Sequence, residues 1–162
     1  MKNSLSKCMS SKPGLNICHM NARSLVNKMV ETKIMTLEHN IDILAVSETW
    51  FNTTTTVNES SLFGFQPPFR RDREHKRGGG TCIYVKNSIA CTRRSDLEPV
   101  ELEMVVVEVF LPSSSPDKSI LICCCYRPPS SNLDKKIFEG LDLFLMSSVK
   151  YNIMMLWDFN AK

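Results

Sequence analysis

Residues 15–48 constrain the fold more than any other part of the chain. Pro13-Gly14 marks a turn, and residues 15–20 follow as a short strand candidate. Ser24 is placed to cap a helix in which Val26, Val30, Ile34 and Leu37 form one apolar stripe, fading near Asn40. Residues 41–46 then predict a strand buried on both faces, because Ile43, Leu44, Ala45 and Val46 are continuously apolar. Strand, helix and strand with short joins make a βαβ unit, whose strands are parallel and whose crossover is right-handed in nearly every case. Parallel strands point their C-terminal ends at one edge. Asn21 and Glu48 are therefore expected side by side, where open α/β sheets bind ligands.

Further along, residues 51–76 carry no convincing period. Gly64 and Pro67-Pro68 break structure, and Arg70, Arg71, Arg73, Lys76 and Arg77 then crowd into a basic loop opposed only by Asp72 and Glu74. Gly78-Gly79-Gly80 feeds a strand at 81–85, and its lack of side chains would let a backbone approach phosphates closely. Residues 102–111 predict a long strand, 112–117 a turn, and 120–126 a buried strand closed by Arg127-Pro128-Pro129. Leu133, Ile137, Leu141 and Phe144 mark a second amphipathic helix. A final strand through Ile153-Met154-Met155-Leu156 runs into Trp157-Asp158-Phe159-Asn160. Strands and helices alternate, so the expected class is α/β (α+β).

Length and composition narrow the class. A chain of 162 residues with 43% apolar content is expected to hold one domain, over 14–162, behind a flexible polar lead-in at 1–13. The net charge of +3 is too small to imply a nucleic-acid partner by itself. Seven cysteines without a CxxC pair give poor support for zinc, and Cys123, Cys124 and Cys125 read as small buried apolar residues. The odd count, and no recognisable secretory leader, lead to the expectation of a reducing, intracellular setting. No apolar run approaches the roughly 18 residues of a membrane span.

Glu48 is the sharpest candidate: a carboxylate directly after a buried strand needs a partner or a metal. Asp158 and Asn160, two apart in an extended segment, face one side and can address one phosphate or one metal. Tyr126 ends an apolar strand and can offer its phenol to a phosphate oxygen. His19, His39 and His75 fall in a strand, at a helix end and in a loop, and none is assigned as a base.

Five runs occur in order: Asn16-Ile17-Cys18-His19-Met20-Asn21-Ala22-Arg23-Ser24-Leu25, Asp42-Ile43-Leu44-Ala45-Val46-Ser47-Glu48-Thr49-Trp50, Arg77-Gly78-Gly79-Gly80, Tyr126-Arg127-Pro128-Pro129 and Asp158-Phe159-Asn160-Ala161. Together they resemble the endonuclease/exonuclease/phosphatase superfamily. They are most similar to the apurinic-endonuclease-like domain of LINE-type (non-LTR) retrotransposon polyproteins. The resemblance implies a DNase I-like two-sheet sandwich with flanking helices, incomplete at its C-terminus, and a divalent-metal phosphodiesterase site at one edge. It implies that Glu48 ligates Mg²⁺ (Mn²⁺ being the alternative), with Asn21 beside it at the metal. Tyr126 would contact the scissile phosphate, Asp158 would orient or deprotonate the attacking water, and Asn160 would hydrogen-bond the phosphate. Arg23, Arg70, Arg71, Arg73, Lys76, Arg77 and Arg127 would bind DNA. A monomer, a nuclear location and a downstream reverse transcriptase domain are likewise implied.

Two departures shape the expectations. The family carries a further aspartate and a closing Ser-Asp-His segment that this chain lacks, so an inactive fragment with exposed strand edges is expected. Trp157 also stands where the family has glycine, and its ring is expected to shift the backbone or obstruct the phosphate pocket. The alternatives are a catalytically dead nucleic-acid-binding remnant, a superfamily phosphatase or lipid phosphodiesterase, and a decayed product that does not fold stably.

Overall fold

The computed structural model describes residues 14–73, 78–111, 119–127 and 134–158. Lys76, Arg77 and Asn160, together with the turn expected at 112–117, lie outside the described residues.

The first βαβ unit is present. Strand β1 (Ile17–Asn21) and strand β2 (Ile43–Ser47) are parallel, with Asn21 opposite Ser47, and helix α1 (Met29–Glu38) connects them. Further along come the one-turn helix α2 (Val57–Ser60), β3 (Phe69–Arg71), β4 (Thr81–Val85), β5 (Cys91–Arg93) and β6 (Glu103–Phe110). A second βαβ unit closes the described chain: β7 (Ser119–Tyr126), α3 (Asp134–Ser147) and β8 (Asn152–Asp158), with β7 and β8 parallel and Tyr126 opposite Asp158. The strands form two four-stranded sheets, ordered β1-β2-β4-β3 and β5-β6-β7-β8.

Side-chain alternation builds the layers. Ile43, Ala45, Ile83, Val85, Val105, Val107, Val109, Ile122 and Cys124 meet between the sheets. Leu44, Val46, Cys82 and Tyr84 face the other way, against Leu25, Met29 and Met35. Met104, Val106, Cys123 and Cys125 face Ile137 and Phe144 of α3. The result is helix, sheet, sheet, helix, and β2, β4, β6 and β7 are covered on both faces, which explains their continuous apolar runs.

Helix α1 corrects one expectation. Val26, Val30, Ile34 and Leu37 are exposed (42%, 71%, 50% and 64%), while Thr32 and Thr36 are buried. The inward stripe runs Leu25, Met29, Thr32, Thr36, a 4-3-4 spacing whose phase is set by the wholly buried Leu25. Ser24 does not cap the helix. It sits at φ 84°, its hydroxyl accepts a bond from Asn27 Nδ2, and the chain enters α1 through a 3₁₀ turn at Val26–Lys28. The Lys28 ammonium bonds the Ala22 carbonyl, holding that turn against the end of β1.

The supposed loop at 51–76 holds two elements. Thr56 and Glu59 form a reciprocal capping box that starts α2, and the Tyr84 hydroxyl donates to the Ser60 carbonyl at its end (2.6 Å). Arg70 and Arg71 lie in β3, an edge strand paired with β4, and not in a loop. Among the described residues no helix is long and apolar enough to cross a membrane.

Two measurements check this packing. Ile83→Ala, between the sheets, should cost about 2–5 kcal/mol in urea unfolding, and Ile34→Ala less than about 0.5 kcal/mol; equal losses would contradict the phase of α1. Burial also pushes the thiols of Cys123 and Cys125 up to about 12 and those of Cys82 and Cys124 higher than their ordinary value. Peptide mass spectrometry after native iodoacetamide treatment at pH 8 should therefore find these four unmodified, and labelled once the chain is denatured.

Candidate active site

The two βαβ units deliver their C-terminal ends to one edge of the sandwich. Asn21 terminates β1, Glu48 follows β2, and Tyr126 and Asp158 terminate β7 and β8. The Asn21 side-chain amide joins the two sheets: its Nδ2 donates to Glu48 Oε1 (2.8 Å) and to Asp158 Oδ2 (2.5 Å). The Arg23 backbone N–H donates to Asn21 Oδ1 (3.1 Å). This network fixes the amide orientation, since a flip would turn its oxygen on two carboxylates and its NH₂ on another donor. Asn21 thus presents N–H, not oxygen, to the carboxylates. The Ser47 hydroxyl donates to Asp158 Oδ2 (3.3 Å), and Trp50 Nε1 to Glu48 Oε2 at a longer 3.4 Å.

Glu48 and Trp50 adopt left-handed backbone conformations (φ 54° and 57°), which L side chains adopt only when their surroundings hold them there. The surrounding backbone does hold them. Ser24 N donates to the Glu48 carbonyl and Leu25 N to the Thr49 carbonyl, while Thr49 N and Trp50 N donate to the Gly80 and Gly79 carbonyls. Gly78, Gly79 and Gly80 are all left-handed (φ 89°, 72° and 80°), so the triple glycine is what lets this loop reach the residues after Glu48.

Tyr126 is 6% exposed, and burial raises its phenol above the ordinary value, with the Glu48 carboxylate adding to the shift and Arg73 opposing it. It therefore stays protonated through neutral pH and can donate a hydrogen bond. Behind Asp158, the His19 imidazole is held below its ordinary value by burial, partly offset by the Asp158 carboxylate. His19 lies two residues before Asn21, so strand alternation places it on the same face. Alternation was the sequence signal that could have singled it out. Ser47, two residues after Ala45 of the layer between the sheets, is legible in the same way.

The structure thus brings Asn21, Glu48, Tyr126 and Asp158 together. It directs much of the basic cluster elsewhere. Arg70 donates to the carbonyls of Asn52 and Thr55 and pairs with Asp72; Arg71 donates to those of Pro99 and Val100. Arg73 pairs with Glu103. Arg23 is exposed beside Asn21, and Arg127 is half-buried, its backbone N–H donating to the Asp158 carbonyl. Trp157 packs with the cluster facing α3, on the face of β8 opposite Asp158. Its ring therefore does not enter the carboxylate cluster, contrary to expectation.

Among the described residues no group of three or more histidine, cysteine and acidic side chains gathers as a metal site. The available donors are the carboxylates of Glu48 and Asp158, hard oxygens of the kind that suit Mg²⁺ or Mn²⁺.

No sequence family model matches the chain, and no curated protein matches it. Solved structures do. The endonuclease domain of TRAS1, a telomere-specific non-LTR retrotransposon, superposes with a TM-score of 0.66 at 15% identity, over 92% of this chain and 60% of that one. An AP endonuclease from Archaeoglobus fulgidus gives 0.61 at 16%, over 90% and 57%. A 3′ phosphatase from Neisseria, bound to product DNA hairpin, gives 0.66 at 14%, over 91% and 58%. The chain has the fold of these endonucleases and phosphatases. It spans roughly three fifths of their length.

Replacing Asn21 tests the bridge. Asn21→Asp removes the donor and sets a third carboxylate against two, so about 1–3 kcal/mol of stability should be lost. The melting temperature without divalent ions should fall by roughly 2–4 °C per kcal/mol, and Mn²⁺ should restore part of it. An unchanged melting temperature would show that the bridge contributes nothing.

Proposed function

We propose that this chain is the metal-dependent DNA endonuclease domain, or part of it, of a non-LTR retrotransposon. The observation that carries the reading is the Asn21 amide holding Glu48 and Asp158, from different sheets, beside the Tyr126 phenol. Two carboxylates and a phenol at a rim are the equipment of phosphodiester hydrolysis. When bound, a divalent ion held by Glu48, with Asp158 able to share it, would stabilise charge on the phosphoryl oxygens.

The chain's own residues do the rest. Asp158 accepts a proton from the attacking water, whose oxygen forms the new bond to phosphorus as the opposite P–O ester bond breaks. Tyr126 donates to a non-bridging phosphate oxygen as charge develops there. Asn21, with its N–H groups turned on both carboxylates, keeps them from separating and serves as a positioning residue. Asn160 belongs to the same reading as a second phosphate donor. Arg23 and Arg127 are the described arginines near the site for contacting DNA, with Lys76 and Arg77 assigned alongside them. A downstream reverse transcriptase, a monomeric state and a nuclear location follow from the resemblance.

Binding to DNA without cleavage is the less favoured reading, because Arg70, Arg71 and Arg73 turn their donors into the fold. Incubating the 162-residue chain with supercoiled plasmid and Mg²⁺ decides the matter. The same assay tests the expectation of an inactive fragment: nicking that Glu48→Gln and Asp158→Asn each reduce by roughly 10²–10⁴-fold would overturn it and support the endonuclease reading. A folded chain that leaves the plasmid supercoiled, while its DNA affinity falls steeply with salt, would sink the endonuclease reading for this length of chain.

A further inference from the structure

Glu103 and Arg73 have no part in the chemistry described above, yet they link its two halves. Glu103 opens β6, directly opposite Tyr126. Its Oε1 accepts from Arg73 Nε (2.6 Å), with Arg73 Nη2 in ion-pair contact at 2.5 Å, and its Oε2 accepts from the Gly80 backbone N–H (2.8 Å). The pair is largely shielded, with side-chain exposures of 17% for Arg73 and 19% for Glu103. The guanidinium lies across Gly79 so closely that a Cβ there would fall 2.4 Å from Arg73 Cζ, and it also stands 5.5 Å from the centre of the Tyr126 ring. Gly79 and Gly80 in turn accept from Trp50 N and Thr49 N, which pins the left-handed segment carrying Glu48. Gly78 lies against the Trp50 indole, 3.5 Å from Nε1 for a Cβ placed there.

One ion pair therefore touches the supports of a group on each sheet. We infer that Glu103 and Arg73 form a latch that positions Glu48, through the glycine loop, and Tyr126, through the guanidinium on its ring. The pair fits this task. A carboxylate has two oxygens, one for the guanidinium and one for a backbone N–H, and a planar guanidinium suits the space between a glycine backbone and an aromatic ring. The glycines are then required by the arginine as well as by their conformation. This assignment rests on the proposed function for its catalytic consequence but not for its structural one.

The test uses the 162-residue chain with Trp157→Phe, which leaves Trp50, of the two tryptophans, as the only reporter. Arg73→Lys keeps the charge and removes the fork; Glu103→Gln keeps an oxygen for Gly80 and removes the ion pair. Gly79→Ala displaces the guanidinium with both partners intact but also strains the left-handed backbone, so its effect should be the largest of the three. With far-UV circular dichroism unchanged, all three should shift the Trp50 emission and its quenching by acrylamide. Nicking should lose roughly 10- to 100-fold in kcat with KM within about twofold. Tyr126→Phe added to Glu103→Gln should cost much less than the product of the two single losses. Unchanged Trp50 emission in variants that fold, or single losses that simply multiply, would overturn the latch. If the parent chain does not nick, the endonuclease reading fails and the Trp50 emission alone decides the latch. If one variant loses its fold, the other two decide it.

Discussion

The contact on which the site depends is a single side-chain amide. Asn21 Nδ2 lies between Glu48, at the exit of one sheet, and Asp158, at the exit of the other. Two carboxylates brought together without a donor or a cation repel, and their approach would push the sheets apart at that rim. An amide donor supplies hydrogen bonds to charged acceptors without adding a charge of its own. That leaves the net negative charge of the pair available to a cation. The apolar layer between the sheets brings them face to face, but it is non-directional. The amide and the Ser47 hydroxyl fix the direction at the edge where chemistry is proposed.

Each sheet carries its half of the site on a βαβ unit, β1-α1-β2 in one and β7-α3-β8 in the other. Parallel pairs put both C-terminal ends at one rim, so Asn21 meets Ser47 and Tyr126 meets Asp158 by register alone. The antiparallel strands β4 and β6 add to the layer between the sheets, and of the latch residues Glu103 opens β6 while Arg73 follows β3. Trp157 shows how local the constraint is. One position before Asp158 the chain faces α3, so an indole there fills the outer layer and leaves the rim untouched.

Much of this was legible in the sequence where burial is two-sided. The runs through Ile43-Leu44-Ala45-Val46 and Leu121-Ile122-Cys123-Cys124-Cys125 can be little else but covered strands, and their ends gave Glu48 and Tyr126 directly. The phase of α1 was not legible, because its outward residues are the more apolar ones and threonines occupy the inward positions. Leu25, one residue ahead of the apparent stripe, sets that phase through its packing against β2. By their crowding in sequence the arginines look like a basic loop. In the fold their guanidiniums satisfy carbonyls and carboxylates distant in sequence, such as Pro99 and Glu103, which no local pattern reveals. Glu103 is hidden in the sequence for the same reason.

The strained backbone at Glu48 and Trp50 ties these observations together. Two left-handed residues in three positions oppose folding by an amount of order 1–3 kcal/mol each, and they persist because four backbone hydrogen bonds from two loops over-determine them. One loop is anchored by Leu25 and Lys28, the other by Glu103 and Arg73. A carboxylate held this way has little freedom left to lose when it meets a cation, which is the condition under which electrostatic stabilisation is most effective.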